Sequence, residues 1–313
     1  MRALSWTTAF RVLLVTLACP LALAQAQNFT FAAIGDVPYG PPAELAQLAD
    51  TLNGKPLAFT IHVGDIKSGS SLCSDDAFAT VHALFERFAQ PLIYTPGDNE
   101  WTDCHRTSNG GHDPLERLEK IRTLFFATPE SLGKRRITLE AQSEEAPFRR
   151  FVENRRWSHG HVSFATLHLV GSNNNLDANL PSSSEFNDRN SANIAWMRAT
   201  FAQAKARNDV AVVLAMQADT FFGASAQAGS GFSSWLTAFG EEARAWDKPV
   251  LLIQGDTHEF TLDQPIVEGK RLSKVTRLVV QGGRNVKAAL VEVDENNMAQ
   301  PFVVRLLDER RAR

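Results

Sequence analysis

Four Gly-Asp pairs, each directly after an apolar run, constrain the fold of this chain more than any other feature. They occur in the segments AAIGDVPYG, IHVGDIKSG, YTPGDNEW and LIQGDTHEF. One Gly-Asp pair is a common turn, but four pairs at the ends of predicted strands need a shared explanation. In α/β sheets, sites collect at the carboxyl ends of strands, so the pattern predicts loops that gather acidic side chains at one edge.

Apolar runs alternate with amphipathic segments along the chain. The predicted strands are rich in Val, Ile, Phe and Leu and cover 29–34, 58–63, 92–95, 162–170, 210–216 and 249–254. The predicted helices cover 42–53, 75–89, 113–127, 188–206 and 232–245. After residue 258, short β segments follow one another without a helix, which favours antiparallel strands. The order of elements predicts an α/β fold with a mixed sheet or two sheets.

The segment 130–160 breaks this alternation. It is polar and irregular, and it includes the sequence EEAPFRRFVENRRWSHG. Such a stretch is typical of a long surface excursion or of an insertion that borders a site.

The N-terminus is typical of a secretory signal peptide. Arg2 and Arg11 supply positive charge around VLLVTLACPLALA, an apolar run that is too short for an ordinary membrane span, and small-x-small cleavage motifs follow. We predict a signal peptide over 1–26 and a single domain over 27–313, in the periplasm or secreted, with no membrane span after signal removal. Lipid attachment at Cys19 is an alternative that the neighbouring Pro20 disfavours.

Two cysteines remain after the predicted cleavage, Cys73 and Cys104. Both follow Gly-Asp strand ends, and an oxidising compartment favours a disulfide between them over two free thiols. The formal net charge of −3 gives no nucleic-acid-binding signature.

The four aspartates point to a metal site. Asp36, Asp65, Asp98 and Asp256 each follow a predicted strand, and His258 comes two residues after Asp256. Carboxylates gathered at one edge repel each other, and a bound cation removes that cost. Oxygen ligands with one imidazole suit divalent Mn, Mg, Ca or Fe in preference to Zn, and two such ions would suit phosphoryl chemistry. Taken singly, each aspartate is more often a turn or cap residue.

The order Gly-Asp, Gly-Asp, Gly-Asp-Asn-Glu, Gly-Asp-x-His resembles that of the calcineurin-like metallophosphoesterases, the superfamily that includes the purple acid phosphatases. The resemblance covers roughly 29–305 and depends on motif order and spacing more than on motif identity. It implies a four-layer sandwich of two mixed β-sheets flanked by helices, and a two-metal site.

Position by position, the resemblance assigns metal binding to Asp36, Asp65, Asp98, Gln217, Asp256 and His258. Asp219 is the alternative to Gln217, which we prefer because it directly follows an apolar run. Asn99 takes the place of the family's phosphate-contacting histidine and is the expected catalytic residue, whereas Glu100 matches the closing acid of that motif.

The substrate-binding residues are predicted less directly. Arg106 could contact a phosphate. Asn174, in VGSNNNLD after a strand, either lines the pocket or occupies a turn with left-handed residues. His105 and His112 are candidate replacements for an imidazole beside the leaving group.

The departures from the family pattern all remove nitrogen ligands. Four imidazoles are replaced here, by Pro38, Asn99, Gln217 and Asp256. Together with the predicted signal peptide, the resemblance implies an exported metal-dependent phosphoesterase that hydrolyses small or polymeric phosphate mono- or diesters with a metal-bound hydroxide. The missing histidines favour the alternative, a non-catalytic binding or structural protein of the same fold.

Overall fold

The computed structural model describes residues 28–176, 182–223 and 227–307, apart from the side chains of 182 and 183. The predicted signal peptide, 1–26, lies outside the described residues. Over the described part of the chain, we find no helix that combines the length and the apolar character needed to cross a membrane.

The described strands and helices alternate along most of the chain. The strands are β1 (Asn28–Ile34), β2 (Thr60–His62), β3 (Leu92–Tyr94), β4 (Glu140–Ala141), β5 (Arg155–His159), β6 (Val162–Thr166), β7 (Ala211–Ala215), β8 (Val250–Gln254), β9 (Thr261–Asp263), β10 (Ile266–Val267), β11 (Lys270–Arg271), β12 (Val275–Val279), β13 (Ala289–Asp294) and β14 (Phe302–Leu306). The helices are α1 (Pro42–Asn53), α2 (Asp75–Phe85), α3 (Pro114–Phe125), the single turn α4 (Gly171–Asn174), α5 (Ser182–Arg207) and α6 (Ser233–Trp246). Short 3₁₀ turns cover Thr102–His105, Thr107–Asn109, Gln142–Glu144 and Ala146–Phe148.

The strands form two large mixed sheets and one small hairpin. The five-stranded sheet has the order β14-β13-β1-β2-β3, in which β1, β2 and β3 are parallel. The seven-stranded sheet has the order β4-β5-β6-β7-β8-β12-β9, in which β6, β7, β8 and β12 are parallel. β10 and β11 pair with each other. The seven parallel strands of the large sheets therefore direct their carboxyl ends to loops that can build one site.

The sheets pack face to face and carry helices on their outer faces. Phe31 and Phe59 from one sheet contact Phe164 from the other, with ring centroids 5.6 and 5.1 Å away. α1, α2 and α3 bury residues such as Phe78 against the five-stranded sheet, and α5 and α6 bury residues such as Trp196 against the seven-stranded sheet. The predicted four-layer α/β sandwich is confirmed.

Local sequence signals explain several helix ends. The Ser74 hydroxyl accepts a hydrogen bond from the Ala77 amide at the start of α2. The Asp113 carboxylate accepts from the Leu115 and Glu116 amides, directly before Pro114 at the first position of α3. These are the N-cap contacts that the Asp-Pro pair predicts.

Two predictions about strands differ from the structure. The segment 130–160 is not wholly irregular, because β5 pairs with β6 and β4 pairs with β5. The sequence of β5 is polar because it contains Arg155 and Arg156. Both are buried in the strand, where Arg155 donates to the Thr128 carbonyl and Arg156 pairs with Glu140. After residue 258, β12 is parallel to β8 rather than antiparallel. The hairpin of β10 and β11 precedes β12 in the chain and lies outside the large sheet.

Candidate metal centre

The predicted metal ligands come from loops of both sheets. Asp36 follows β1 and Asp65 follows β2 in the five-stranded sheet, whereas Asp256 and His258 follow β8 in the seven-stranded sheet. Asp36, Asp65 and His258 form the tightest group, which we call the metal triad. Each offers one ligand atom, and these atoms all lie within 4.8 Å of one another. The topology thus joins residues that are more than 200 positions apart in sequence.

The backbone at these positions adopts an unusual conformation. The φ angles are 54° at Asp36, 57° at Asp65, 75° at Asp256 and 63° at His258. A residue with a side chain is uncommon in this left-handed region, where each such residue costs on the order of 1 kcal/mol. Such strain persists only where the surrounding structure imposes it, and it is concentrated at functional sites.

Glycines leave room for the two carboxylates. A Cβ at Gly255 would lie 2.4 Å from Asp36 Oδ2, and one at Gly97 would lie 2.1 Å from Asp65 Oδ1. A Cβ at Gly282 would lie 2.2 Å from Asp36 Cβ. No side chain fits at such distances. Gly255 after β8 and Gly97 after β3 therefore allow acids from other loops to pack closely against the backbone.

Asp65 is held by two neighbouring side chains. The Tyr39 hydroxyl donates to Asp65 Oδ2 at 2.6 Å, and Asn99 Nδ2 donates to the same oxygen at 2.6 Å. The Asn99 amide also donates to Oδ1 at 3.1 Å. The ring of Tyr39 lies edge-on to His258, with centroids 5.1 Å apart. Tyr39 therefore contacts two members of the metal triad and fixes their orientation.

The buried acids are poorly compensated by positive charge. Burial raises the pKa of Asp65 well above its ordinary value, and the charges of Asp98, Glu100 and Asp36 raise it further. Burial also raises the pKa of Asp36, although the contact with His258 partly opposes this. For Asp256, burial and the charges of Asp98 and Asp36 raise the pKa to about 7. A bound cation would relieve this repulsion.

His258 completes the triad as its nitrogen ligand. Its Nε2 lies 3.4 Å from Asp36 Oδ1, and its side chain is partly exposed. The hydrogen bond with Asp36 raises the pKa of His258, although burial partly opposes this. Two carboxylates and one imidazole are a suitable donor set for a hard or borderline divalent cation.

Asp98 and Asp256 lie outside the closest group but near it. The Asp256 amide donates to Asp36 Oδ1 at 3.1 Å. Asp98 Oδ2 lies 2.7 Å from the Ser172 hydroxyl, which also lies 3.0 Å from Asp103 Oδ1. Ser172 is in a left-handed conformation in the turn α4, so this turn orients Asp98 from the opposite sheet.

Glu100 connects the loop after β3 to the loop after β2 through hydrogen bonds. Its Oε1 accepts hydrogen bonds from the Gly97 amide at 2.6 Å, the Tyr94 hydroxyl at 2.7 Å and the Asp65 amide at 3.2 Å. Its Oε2 is buried and has no hydrogen-bond partner among the described residues. This acid therefore ties the loop after β3 to the loop after β2.

His62 performs a similar role between the first two loops. Its Nδ1 accepts from the Gly64 amide at 3.1 Å, so Nε2 carries the proton and donates to the Val37 carbonyl at 2.9 Å. Burial lowers the pKa of His62 to about 4. A neutral core histidine thus positions the segments that carry Asp36 and Asp65.

The predicted ligand Gln217 forms a hydrogen bond to another loop. Its Oε1, the atom that would bind a cation, accepts a hydrogen bond from the Gly171 amide at 2.6 Å. The alternative, Asp219, is also engaged, because its Oδ1 accepts from Arg277 Nη1 at 2.7 Å. Both side chains instead fix loops around the triad. The sequence could not show this, since the partners come from distant strands.

The predicted substrate-binding residues have different surroundings. Arg106 is half-exposed, and its Nη1 lies 2.5 Å from Asp103 Oδ2. Asn174 does not face the pocket, because it is fully buried and its amide donates to the Gly231 carbonyl while its Oδ1 accepts from Arg189. The turn that was the alternative for this asparagine is therefore the observed structure.

Of the remaining predicted residues, Asn99 contacts the metal triad through a described hydrogen bond and the two histidines do not. Asn99 directs its amide group to Asp65 and Tyr39 and so orients a triad ligand. His105 is exposed, with Nδ1 2.7 Å from the Thr102 carbonyl, and His112 packs beside Gly110. No described hydrogen bond links either histidine to the triad.

The predicted disulfide is present and lies beside the site. Cys73 and Cys104 are bonded across 31 positions of sequence, and their sulfurs lie 3.6 and 3.7 Å from the Asn99 carbonyl oxygen. Lys67 donates to the same carbonyl at 2.8 Å. The disulfide thus joins the loop after β2 to the loop after β3 at the residue that orients Asp65.

Sequence reasoning missed Tyr39, Lys67, Asp103 and Ser172. Tyr39 lies three residues after Asp36 in GDVPYG, and Ser172 follows a strand-end glycine in VGSNNN. A polar residue shortly after a strand-end glycine is the signal that could have pointed to both.

Comparisons with known proteins agree with this architecture. No protein-family model and no protein of curated function matches the sequence. Among solved structures, a dimetal phosphatase from Danio rerio is 12% identical over 88% of this chain and 98% of its own, with a TM-score of 0.53. PhoD is 12% identical over 89% of this chain and 68% of its own, with a TM-score of 0.52. The purple acid phosphatase PPD1 from yellow lupin (Lupinus luteus) seeds is 13% identical over 92% of this chain and 55% of its own, with a TM-score of 0.52.

At these identities the likeness concerns the fold. The chain shares its fold with these three solved structures, in agreement with the resemblance in the sequence.

Proposed function

We propose that this protein is an exported, metal-dependent phosphoesterase that hydrolyses phosphate mono- or diesters. The observation that carries the proposal is the metal triad, in which ligand atoms of Asp36, Asp65 and His258 lie within 4.8 Å of one another in a fold shared with known phosphatases. Burial, together with the charges of neighbouring acids, raises the pKa of Asp36 and Asp65, which supports a site built for a cation.

The triad residues fit one divalent cation, and the nearby Asp98 and Asp256 support the proposal of a second. We propose Mn, Mg, Ca or Fe in preference to Zn, because carboxylate oxygens dominate the donor set. When bound, such ions supply positive charge for the phosphoryl group and lower the pKa of water.

The chain's own residues would orient the reacting groups. Tyr39 and Asn99 hold Asp65 in one rotamer, and Ser172 holds Asp98. Arg106 is half-exposed next to Asp103 and can offer a guanidinium group to a phosphate oxygen. Asn99 acts in this proposal through Asp65 rather than by contact with the phosphate.

Export is part of the proposal. The apolar N-terminal segment with flanking arginines supports a signal peptide, and the disulfide between Cys73 and Cys104 supports an oxidising compartment such as the periplasm or the extracellular space.

The test is metal analysis of the purified protein, followed by hydrolysis of aryl phosphate mono- and diesters. We expect turnover that a chelator removes and that Mn, Mg, Ca or Fe restores better than Zn. If the protein holds no bound metal and shows no metal-stimulated turnover, the proposal is refuted. The second candidate, a non-catalytic binding or structural protein, then remains. The observation that favours this second candidate is the engagement of Gln217 and Asn99, which stand in place of family imidazoles, in contacts within the protein.

A further inference from the structure

A groove beside the metal triad has no role in the site described so far. Its volume is about 300 Å³, and it lies between the loop after β1, the loop after β2 and the helix α2. Tyr39 and Lys67 line this groove and also belong to the site. The Tyr39 hydroxyl donates to Asp65, and the Lys67 ammonium donates to the Asn99 carbonyl. Because two residues are shared, the groove adjoins the candidate metal centre.

The walls of the groove are largely apolar. Pro38, Ile66, Phe78 and Val81 line it, and the side chains of Ile66 and Phe78 are almost completely buried. Small-molecule pockets combine such apolar walls with a few polar groups that fix orientation. A groove with these walls binds an apolar group by removing its surface from water.

The charge around the groove restricts the ligand further. The exposed Asp76 lines it, and the acids of the metal centre lie beyond Tyr39 and Lys67. Asp76 would repel negative charge on a ligand in the groove, and the Lys67 ammonium is already engaged by the Asn99 carbonyl. The small volume, at the lower end of the range for ligand pockets, fits one ring or a branched alkyl group rather than a polymer.

We propose that this groove binds the organic group of the phosphoester, an aromatic or branched apolar alcohol that carries no negative charge. The phosphoryl group then lies at the metal triad, with Tyr39 and Lys67 at the junction. This inference rests on the proposed function and specifies its substrate class.

The test fills the groove without changing the triad. Ala77 lines the groove from α2, whereas Ala79 is exposed on the same helix and is not part of the groove wall, so Ala77→Phe and Ala79→Phe are matched variants. With saturating Mn, we expect Ala77→Phe to lower kcat/KM for phenyl phosphate about tenfold while leaving methyl phosphate within about twofold of wild type. Ala79→Phe should leave both substrates unchanged. Thr80→Trp, a second groove variant, should repeat the result of Ala77→Phe.

A binding experiment separates failure of the groove from failure of hydrolysis. Phenylphosphonate and methylphosphonate, which are not hydrolysed, are titrated into the Mn-loaded proteins by calorimetry. If both groove variants lose affinity for phenylphosphonate and keep their affinity for methylphosphonate, the groove is the binding site of the organic group. This result supports the inference even if the wild type hydrolyses no ester and the proposed function fails. Two results would overturn the assignment of the groove and leave the proposed function standing. One is an equal effect of the variants on the phenyl and methyl ligands, and the other is no effect of either variant in a protein that hydrolyses esters.

A charged substrate tests the effect of Asp76 separately. We expect 4-carboxyphenyl phosphate to be a poorer substrate than phenyl phosphate, and Asp76→Asn to reduce that difference. A carboxylated ester that reacts as well as phenyl phosphate would overturn the assignment of an uncharged alcohol.

Discussion

Two regions of the molecule pair a buried carboxylate with an imidazole, and their charges are arranged in opposite ways. In the metal triad, Asp36 faces His258 at 3.4 Å, and other acids surround the pair. In the second region, which we call the Glu153 cluster, Glu153 contacts His168 Nδ1 at 2.8 Å and receives two hydrogen bonds from Arg122, at 2.7 and 3.1 Å. Glu153 and His168 are both fully buried.

The pKa values reflect this difference. Burial alone would raise the pKa of Glu153, but the charge of Arg122 and the hydrogen bond from His168 outweigh it and hold the pKa well below its ordinary value. At Asp36 and Asp65, burial and neighbouring acids raise the pKa. The fold thus supplies its own cation where an acid is structural and omits one where the acid is proposed to bind metal.

The largest expected effect is on stability and concerns the Glu153 cluster, in which Arg122 is the cation. Glu153→Gln should lower the free energy of unfolding by about 3 kcal/mol, because it leaves the nearly buried Arg122 without its main partner. Chemical denaturation of both proteins measures the change. The control is Glu119→Gln, which removes the exposed partner of the same arginine and should cost less than about 1 kcal/mol. Equal effects of the two variants would contradict the distinction between the regions.

The matching change in the metal triad should affect function more than folding. We expect Asp65→Asn to lower metal-dependent kcat at least about 100-fold, since it removes a ligand charge at the proposed cation site. Asp50→Asn, an exposed acid paired with Arg87, is the control and should retain full activity. Steady-state kinetics with added Mn measures both. Activity of Asp65→Asn equal to that of wild type would remove Asp65 from the proposed ligand set.

A smaller effect is expected where a residue acts through Asp65. Tyr39→Phe removes the hydroxyl that donates to Asp65 Oδ2 and should weaken metal affinity about tenfold. The comparison is Tyr94→Phe, whose hydroxyl contacts Glu100 instead and which should lower stability with little change in metal affinity. Titration calorimetry with Mn gives the affinity, and thermal unfolding gives the stability. The opposite result, metal affinity lost only in Tyr94→Phe, would assign the orienting role to Glu100.

The same comparison shows what the sequence could predict. Asp36, Asp65 and His258 could be placed because each follows an apolar run, and the carboxyl ends of parallel strands meet at one edge. The Glu153 cluster could not, because Arg122, Glu153 and His168 come from separate elements and no local pattern marks their contact. β5 was missed for a related reason, since its arginines bind partners that are distant in sequence, a carbonyl for Arg155 and Glu140 for Arg156.

Side-chain direction also lay beyond the sequence. Gln217 follows a strand as predicted, but its oxygen accepts a hydrogen bond from the Gly171 amide, which the sequence does not indicate. Asn174 was assigned to the pocket or to a turn, and only the packing of Arg189 against its Oδ1 decides between the two. Position at a strand end is therefore predictable, whereas the choice of hydrogen-bond partner depends on the tertiary structure.

The smallest expected effect is a pH dependence confined to the Glu153 cluster. Above the ordinary glutamate pKa of 4.5, Glu153 is ionised in both the folded and the unfolded chain, so its full contribution is present. As the pH falls below that value, the unfolded chain takes up a proton that the folded protein, with its lowered pKa, does not, and the contribution declines. The stability difference between wild type and Glu153→Gln should therefore shrink by about 1 kcal/mol between pH 6 and pH 3.5. Burial lowers the pKa of His168, and the contact with Glu153 partly opposes this, so uptake of a proton by His168 in the wild type at low pH acts against the shrinkage. Urea denaturation at a series of pH values measures this difference, and a constant value down to pH 3.5 would show that Arg122 does not hold Glu153 in its ionised form.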